Sequence, residues 1–309
     1  MRRGVVVLGV FAADVTFRAE RLPRIGETLL GRSVALGPGG KGSNQAVAAA
    51  RAGAEVHLLT RIGRDTFGDM ALATWREAGV RCEAVIREGG DTGAAFIFVD
   101  DASGDNAIIV APGAAGALSE RDVEAQAALL GEAAVFVTQL EQPMPAARRA
   151  LEVAGKGGAT TLLNPAPAAA LPEGMLALCD YVTPNESEAE ALTGVAVEDM
   201  AGARRAGDAL LAQGVRRAAV LTLGPRGALF HARDRSVHLP ALDAGPVRET
   251  TGAGDAFNGG FAAALAEGRD PVEAARFSCA VAGISVTRPG AAASMPRRAE
   301  IDAALARAP

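Results

Sequence analysis

Short apolar runs alternate with longer amphipathic stretches through most of this chain. Val5–Val10, Val56–Thr60, Ala134–Thr138, Thr160–Leu163, Tyr181–Thr183 and Ala218–Leu223 predict strands. Ser43–Ala52, Phe67–Ala78, Ser119–Leu130, Pro145–Ala154 and Ala201–Gln213 predict helices between them. Gly53, Gly79, Gly155 and Gly214 close several of these on the residue that ends helices most readily. Near-continuous apolar strands separated by helices predict an α/β fold with a mostly parallel sheet, covered by helices on both faces. Ligands of such sheets bind beyond the carboxyl ends of the strands. Leu29–Leu36, Gly93–Asp100 and Asn106–Val110 read instead as strands joined without helices, the last two by a turn at Asp101–Asp105. They predict a small antiparallel β lid, formed from about 12–36 and 92–110, on one large domain spanning 1–309.

Composition changes this picture little. With 309 residues, 49% hydrophobic, the chain is long enough for one large core, and aromatics at only 4% shift the packing onto Ala, Val and Leu. A net charge of −5 argues against a general nucleic-acid binder, which needs a basic face. Cys82, Cys179 and Cys279 lie far apart with no CxxC pair, so neither a disulfide framework nor a zinc site is expected, and a reduced, cytoplasmic setting is. The apolar run after Met1-Arg2-Arg3-Gly4 is only strand-length and closes at Asp14, which predicts a buried strand over a signal peptide. No stretch approaches the roughly 20 apolar residues of a membrane span.

Two glycine-rich segments carry the chemistry. Thr251-Gly252-Ala253-Gly254-Asp255 precedes a helix through Phe261–Glu267. The amides of Gly252, Ala253 and Gly254 at that helix start would cradle an anion such as a transferred phosphate. Asp255 would then be either a helix cap, because its carboxylate accepts backbone hydrogen bonds there, or a base beside the cradle. The second segment, Gly37-Pro38-Gly39-Gly40-Lys41-Gly42-Ser43-Asn44, matches GxGxxG at Gly37, Gly39 and Gly42. It is not in the first strand–helix unit, and no clear acidic residue follows at the expected spacing of about 20. A Walker A loop is also excluded, since Gly42 follows Lys41. What remains is a turn presenting a cation and an amide, suited to a polyhydroxylated ligand or a developing phosphate.

Gly39–Ala46 with Gly63-x-Asp65-x-Phe67-Gly68 resembles the first signature of the ribokinase (PfkB-type) carbohydrate kinases, and Thr251–Phe257 their second. Gln139-Leu140-Glu141, Asn164–Ala168, Thr183–Glu188, Thr222–Gly227 and Val286–Gly290 follow the family's order, so the resemblance spans essentially the whole chain. It implies a ribokinase-like fold and transfer of the γ-phosphate of ATP to a primary hydroxyl of a small sugar. By the same resemblance Asp14, Gly40, Lys41, Asn44 and Glu141 would hold the sugar, with Asp255 as base. Asn185 and Glu188 would place Mg²⁺ and phosphate; Thr222, Gly224, Gly227 and Cys279 would lie beside the nucleotide, and Gly252–Gly254 would form the anion hole. Glu249, Thr251, Ser285, Arg288, Gly290 and Ser294 fall where these kinases bind an activating K⁺. A homodimer through the β lid is also implied.

Two positions depart from the family pattern. Ala12 stands where an Asn is usual, which weakens the case for ribose against 2-deoxyribose, and Glu249 stands where Asp is usual. Each singled-out residue also has a structural reading. Lys41 could be a solvated lysine, Glu141 a helix-terminal charge, and Glu186, Glu188 and Glu190 a solvated helix face. His57, His231 and His238 show no ligand spacing. Competing functions are a nucleoside kinase, for which Phe11 and Phe17 are the available aromatic residues, a non-catalytic sugar-binding relative, and a dinucleotide-binding oxidoreductase.

Overall fold

The computed structural model describes residues 3–307, so both ends of the 1–309 span lie outside the described residues. Thirteen strands follow in chain order. They are β1 (Arg3–Leu8), β2 (Ala12–Ala19), β3 (Ser33–Gly39), β4 (Val56–Ile62), β5 (Val85–Arg87), β6 (Thr92–Asp100) and β7 (Asn106–Gly113). β8 (Ala133–Thr138), β9 (Thr160–Leu163), β10 (Tyr181–Val182), β11 (Ala218–Thr222), β12 (Ala228–Ala232) and β13 (Ser236–Leu239) complete them. The helices are α1 (Lys41–Arg51), α2 (Thr66–Ala78), α3 (Glu120–Ala125), α4 (Ala127–Glu132) and α5 (Met144–Gly157). They continue with α6 (Glu186–Thr193), α7 (Met200–Ala212), α8 (Ala253–Ala266), α9 (Pro271–Ser285) and α10 (Arg298–Arg307).

Nine strands form one sheet in the order β13-β12-β11-β10-β9-β8-β1-β4-β5. From β11 to β5 every pairing is parallel; β12 and β13 add antiparallel at one margin. Alternate residues of a strand feed opposite cores. Val5 and Val7 pack with α1, α8 and α9 on one face, Val6 and Leu8 with α5 and α7 on the other. This is the two-sided burial that the continuous apolar runs predict. Ala supplies much of both helix layers, as the scarcity of aromatic residues requires.

The second sheet, β3-β2-β6-β7, grows from the carboxyl end of β1. Its outer pairings are antiparallel and its central pairing, β2 with β6, is parallel. Asp65 roots it: its carboxylate caps α2 at Gly68 N (2.7 Å) and accepts from Thr92 N (2.6 Å) and Thr92 Oγ1 (2.7 Å) at the start of β6.

Several boundaries differ from the expected ones. The strand expected at Leu29–Leu36 runs from Ser33 to Gly39, and β2, β5, β12 and β13 are additional. The single helix expected over Ser119–Leu130 breaks at Gln126, whose ψ of 17° separates α3 from α4. Gly155 lies inside α5, and the left-handed cap is Gly158. Two close approaches set the site. A Cβ at Gly42 would meet Gly9 backbone, so α1 starts directly against the end of β1. A Cβ at Gly259 would meet the Ala48 methyl and the Gln45 carbonyl, so α8 packs backbone-to-backbone on α1. Among the described residues no helix is long and apolar enough to cross a membrane.

Candidate active site

The α1–α8 contact brings the two glycine segments together. Gly40 (φ 85°) precedes α1 and Gly252 (φ 79°) precedes α8, and neither glycine offers a side chain to cap its helix. Asp255, the third residue of α8, is buried and does not cap its helix. Its Oδ2 accepts from Asn44 Nδ2 and its Oδ1 from Gln45 Nε2, each at 3.0 Å. The capping alternative therefore fails. The cradle also differs from expectation at one position. Ala253 N donates to Thr250 O at 3.1 Å, whereas the amides of Gly252, Gly254 and Asp255 meet no acceptor among the described residues. Nothing lies within 4 Å of a Cβ placed on Gly254, so the helix start opens onto free space. Three free donors at a helix N-terminus suit an anion.

Three carboxyl groups face this opening. Asp14 on β2 is pushed up to about 6, by burial first and then by the nearby Asp255. Glu141, just beyond β8, is pushed up to about 7 by burial. Its Oε2 accepts from Lys41 N at 2.7 Å, so it is tied to the start of α1 and does not stand free as a solvated charge. Burial also raises Asp255, against Lys41, Asn44 and Gln45, which favour its ionised form. Asp14, Gly40, Lys41, Asn44, Glu141 and Asp255 thus share one site beyond the carboxyl ends of β1 and β8. Ala12 pairs with Gly39 at the approach to α1. Phe11 does not belong to the site: it is fully buried, edge-on to Trp75 at 5.7 Å. Phe17 is part-exposed on the small sheet beside Phe96.

Asn185 and Glu188 form a reciprocal capping box at the start of α6. Asn185 Oδ1 accepts from Glu188 N (2.8 Å), and Glu188 Oε2 accepts from Asn185 N (2.9 Å). Burial raises the Glu188 carboxyl, which also feels Lys41 and Asp255, so α6 faces the same opening. Thr222 ends β11, with its N–H on Pro184 O at 2.9 Å; Gly224 and Gly227 follow in the next turn. Cys279 is buried on α9, where burial pushes its thiol up to about 12.

The positions implied for a monovalent cation fall on two adjoining segments. Arg248 N and Glu249 N donate to Val286 O (2.8 and 3.2 Å), and Glu249 Oε2 accepts from Gly290 N (2.9 Å). Ser285 Oγ donates to Ala282 O and Ser294 Oγ to Ala291 O, both at 2.8 Å. Arg288 pairs with Glu300, and Thr251 directly precedes Gly252. Among the described residues no group of three or more His, Cys, Asp or Glu could hold a metal ion.

Sequence reasoning assigned no role to Gln45, Gln139, Asn164, Thr183 and Asn258, which form a buried hydrogen-bonded network around Asp255. Gln139, Asn164 and Thr183 each directly follow a strand, and a polar residue closing an apolar run was the available signal.

The model of the pfkB family carbohydrate kinases matches residues 2–298. The chain is 39% identical over 301 residues to the ribokinase of Haemophilus influenzae, covering 97% of each chain. It is 36% identical over 294 residues to the deoxyribokinase of Salmonella typhi, covering 94% of this chain and 95% of that one. Among solved structures, the ribokinase of Arabidopsis thaliana complexed with ribose and ATP superposes over 100% of both chains, with a TM-score of 0.93 at 29% identity.

Proposed function

The chain belongs to the pfkB family of carbohydrate kinases, and from that premise we propose that it transfers the γ-phosphate of ATP to the primary hydroxyl of ribose. One observation carries the reading: a buried carboxylate, Asp255, held by two amide donors beside a helix start with free N–H groups. Asp14, Asn44 and Glu141 hold the sugar hydroxyls, with Gly40 and Lys41 shaping the turn. The sugar oxygen attacks the γ-phosphorus, its proton passes to Asp255, and the bond to the β-phosphate oxygen breaks to release ADP. The transition state is loose, so aim matters more than base strength. The free amides at the start of α8 and the Lys41 ammonium meet the charge on the transferring group. Mg²⁺ bound with the nucleotide would neutralise phosphate charge, and Glu188, whose Oε1 accepts no hydrogen bond among the described residues, would help hold it. Thr222, Gly224, Gly227 and Cys279 would line the nucleotide side. The three free cysteines suit a reducing cytoplasm.

A second reading, 2-deoxyribose, rests on Ala12. A site that hydrogen-bonds a hydroxyl rejects the analogue lacking it because its own polar group is stranded. Ala12 leaves no such group. Steady-state release of ADP with ribose, 2-deoxyribose, hexoses and nucleosides decides between the readings. Ribose is expected to give the highest kcat/KM. Ala12→Asn should raise the ribose to 2-deoxyribose ratio by about 2–12-fold, the worth of one ordinary hydrogen bond. A nucleoside as best substrate would refute the assignment, and an unmoved ratio would show that Ala12 does not face the sugar. In the same assay at constant ionic strength, KCl is expected to exceed NaCl in rate, because a cation between the Glu249 and Gly290 segments would order the approach to Gly252. Equal rates would remove that site.

The domain plan follows from the same reading: one kinase domain, with the β3-β2-β6-β7 sheet as a lid over the sugar. That sheet exposes Val34, Leu36, Ile108, Ile109 and Val110, with Ile109 at 69%. So many exposed apolar residues on one small sheet mark an interaction surface. A second copy of the chain, joined lid to lid, would cover it. Light scattering should return two chains per particle and Ile109→Lys one; a monomeric unaltered chain refutes the dimer.

A further inference from the structure

We propose that Gln45 is the positioning residue of the base, holding the Asp255 carboxylate through a side-chain amide whose orientation is locked by Asn164 and Gln139. The proposal rests on Asp255 being the base. Gln45 is fully buried on α1, with both amide hydrogens and its carbonyl oxygen engaged. Its Nε2 donates to Asp255 Oδ1 and to Asn164 Oδ1, both at 3.0 Å, and its Oε1 accepts from Gln139 Nε2 at 2.6 Å.

The orientation of that amide is forced. The Thr183 carbonyl can only accept, so Asn164 must donate to it with Nδ2, as it does at 3.1 Å. Asn164 therefore presents Oδ1 to Gln45, and Gln45 must answer with its NH₂ group. Its Oε1 is then left for the Gln139 amide. A backbone carbonyl just past the end of β10 thus decides that Asp255 meets a donor. Asn44 supplies the other donor, and its Oδ1 has no partner among the described residues, so its amide is not locked in the same way. Of the two, Gln45 is the one that fixes the carboxylate plane.

The same strand end reaches the cradle. Thr183 Oγ1 donates to Asn258 Oδ1 (2.5 Å), and Asn258 Nδ2 donates to Gly254 O (2.8 Å). The base and the first turn of α8 are both referred to Thr183, so the carboxylate and the free amides keep a fixed spacing. Gln45 can meet Asp255 only as a donor, so of its two partners Asn44 alone could turn to accept a proton carried on the carboxyl. The charged groups around Asp255 are Lys41 on α1, Asp14 on β2, Glu141 beyond β8 and Glu188 on α6. None of these changes when Gln45 is replaced by a neutral residue.

Gln45→Met keeps length and volume and removes both donor and acceptor. Its kcat should fall about 10–100-fold with KM for sugar and ATP within about threefold, since the lost contact is to the base and not to a substrate. Loss of a donor to the ionised carboxylate makes it easier to protonate, so the acid limb of the kcat profile should move up by about one pH unit. A purely structural role would lower the melting temperature and leave that limb in place. Gln139→Met, which removes one of the two partners holding the Gln45 amide without touching Asp255, should shift the limb the same way with a kcat loss of about 3–10-fold. It decides the matter if Gln45→Met does not fold or shows no measurable turnover. An unmoved acid limb with wild-type kcat in a folded variant, or a change confined to KM, overturns the proposal. If Asp255→Asn itself retains turnover, the reading of the base has failed and takes this proposal with it, whereas an inactive Asp255→Asn beside an unmoved Gln45→Met overturns the positioning role alone.

Discussion

Asp255→Asn is expected to lower kcat by about 10²–10⁴-fold, the usual worth of a positioned general base, while ATP binding stays within about threefold. The substitution keeps the shape of the side chain and removes only its charge and proton affinity. The surrounding amides determine whether the fold survives it. In wild type both carboxylate oxygens accept, from Asn44 and from Gln45. An Asn at 255 must turn its own NH₂ towards one of them. Gln45 cannot reverse, because Asn164 holds its donor face. Asn44 can, because its Oδ1 has no partner among the described residues and would become the acceptor. The variant should therefore fold, with Asn44 turned over. Burial disfavours the charge that the substitution removes, so its melting temperature should not fall. Turnover is measured by ADP release, ATP binding by calorimetry and melting by scanning calorimetry. More than about a tenth of wild-type kcat would exclude Asp255 as the base.

The structure divides the sequence features into those that local pattern reveals and those that only packing decides. The parallel core was legible because strands buried on both faces must be apolar at consecutive positions, as at Val5–Leu8 and Ala218–Leu221. β12 and β13 were not, since Arg233-Asp234-Arg235 between them reads as an exposed charged loop. The break at Gln126 was hidden because Ala and Leu on both sides continue a helical pattern. In the site, the glycine segments revealed the two helix starts and hence Lys41 and Asp255. Local pattern also suggested that Asp255 caps its helix, and this failed because α1 offers the carboxylate side-chain donors across a gap of 211 residues. The Ala253 amide is lost to the cradle for a local reason, the turn back to Thr250. Gln45 was invisible as a working residue because its partners lie 94 to 210 residues away. Asp65 was recognised only as part of a signature, and its task of tying α2 to β6 appears only when Thr92 arrives.

The second large effect concerns Asp14, where substrate binding and stability pull in opposite directions. Asp14→Asn is expected to lower kcat/KM for the sugar by about 10²-fold, because charge-assisted hydrogen bonds to hydroxyls, worth about 1.5–3 kcal/mol, become ordinary ones. The same change should stabilise the empty protein at high pH. Asp14 makes no hydrogen bond among the described residues, while burial and Asp255 lift its carboxyl from 3.8 to about 6. A group raised on folding binds its proton more tightly in the folded state. Its contribution to stability is complete below its unfolded value and is lost as pH rises through about 6. At pH 8 the ionised Asp14 therefore costs the fold at most about 3 kcal/mol, and less after partial screening by solvent. Asn carries no charge at any pH and escapes that cost. The melting temperature of Asp14→Asn should exceed wild type by about 2–5 °C at pH 8, and the difference should narrow steadily below about pH 6 and close only below about pH 4. Paired calorimetric scans across this range, without sugar, check the sign. Ribose at saturation should reverse the order at pH 8, because it stabilises only the chain that still binds it tightly. A difference that is the same at pH 5 and pH 8 would show that Asp14 is not held as a buried charge, and the sugar contacts assigned to it would fall with that.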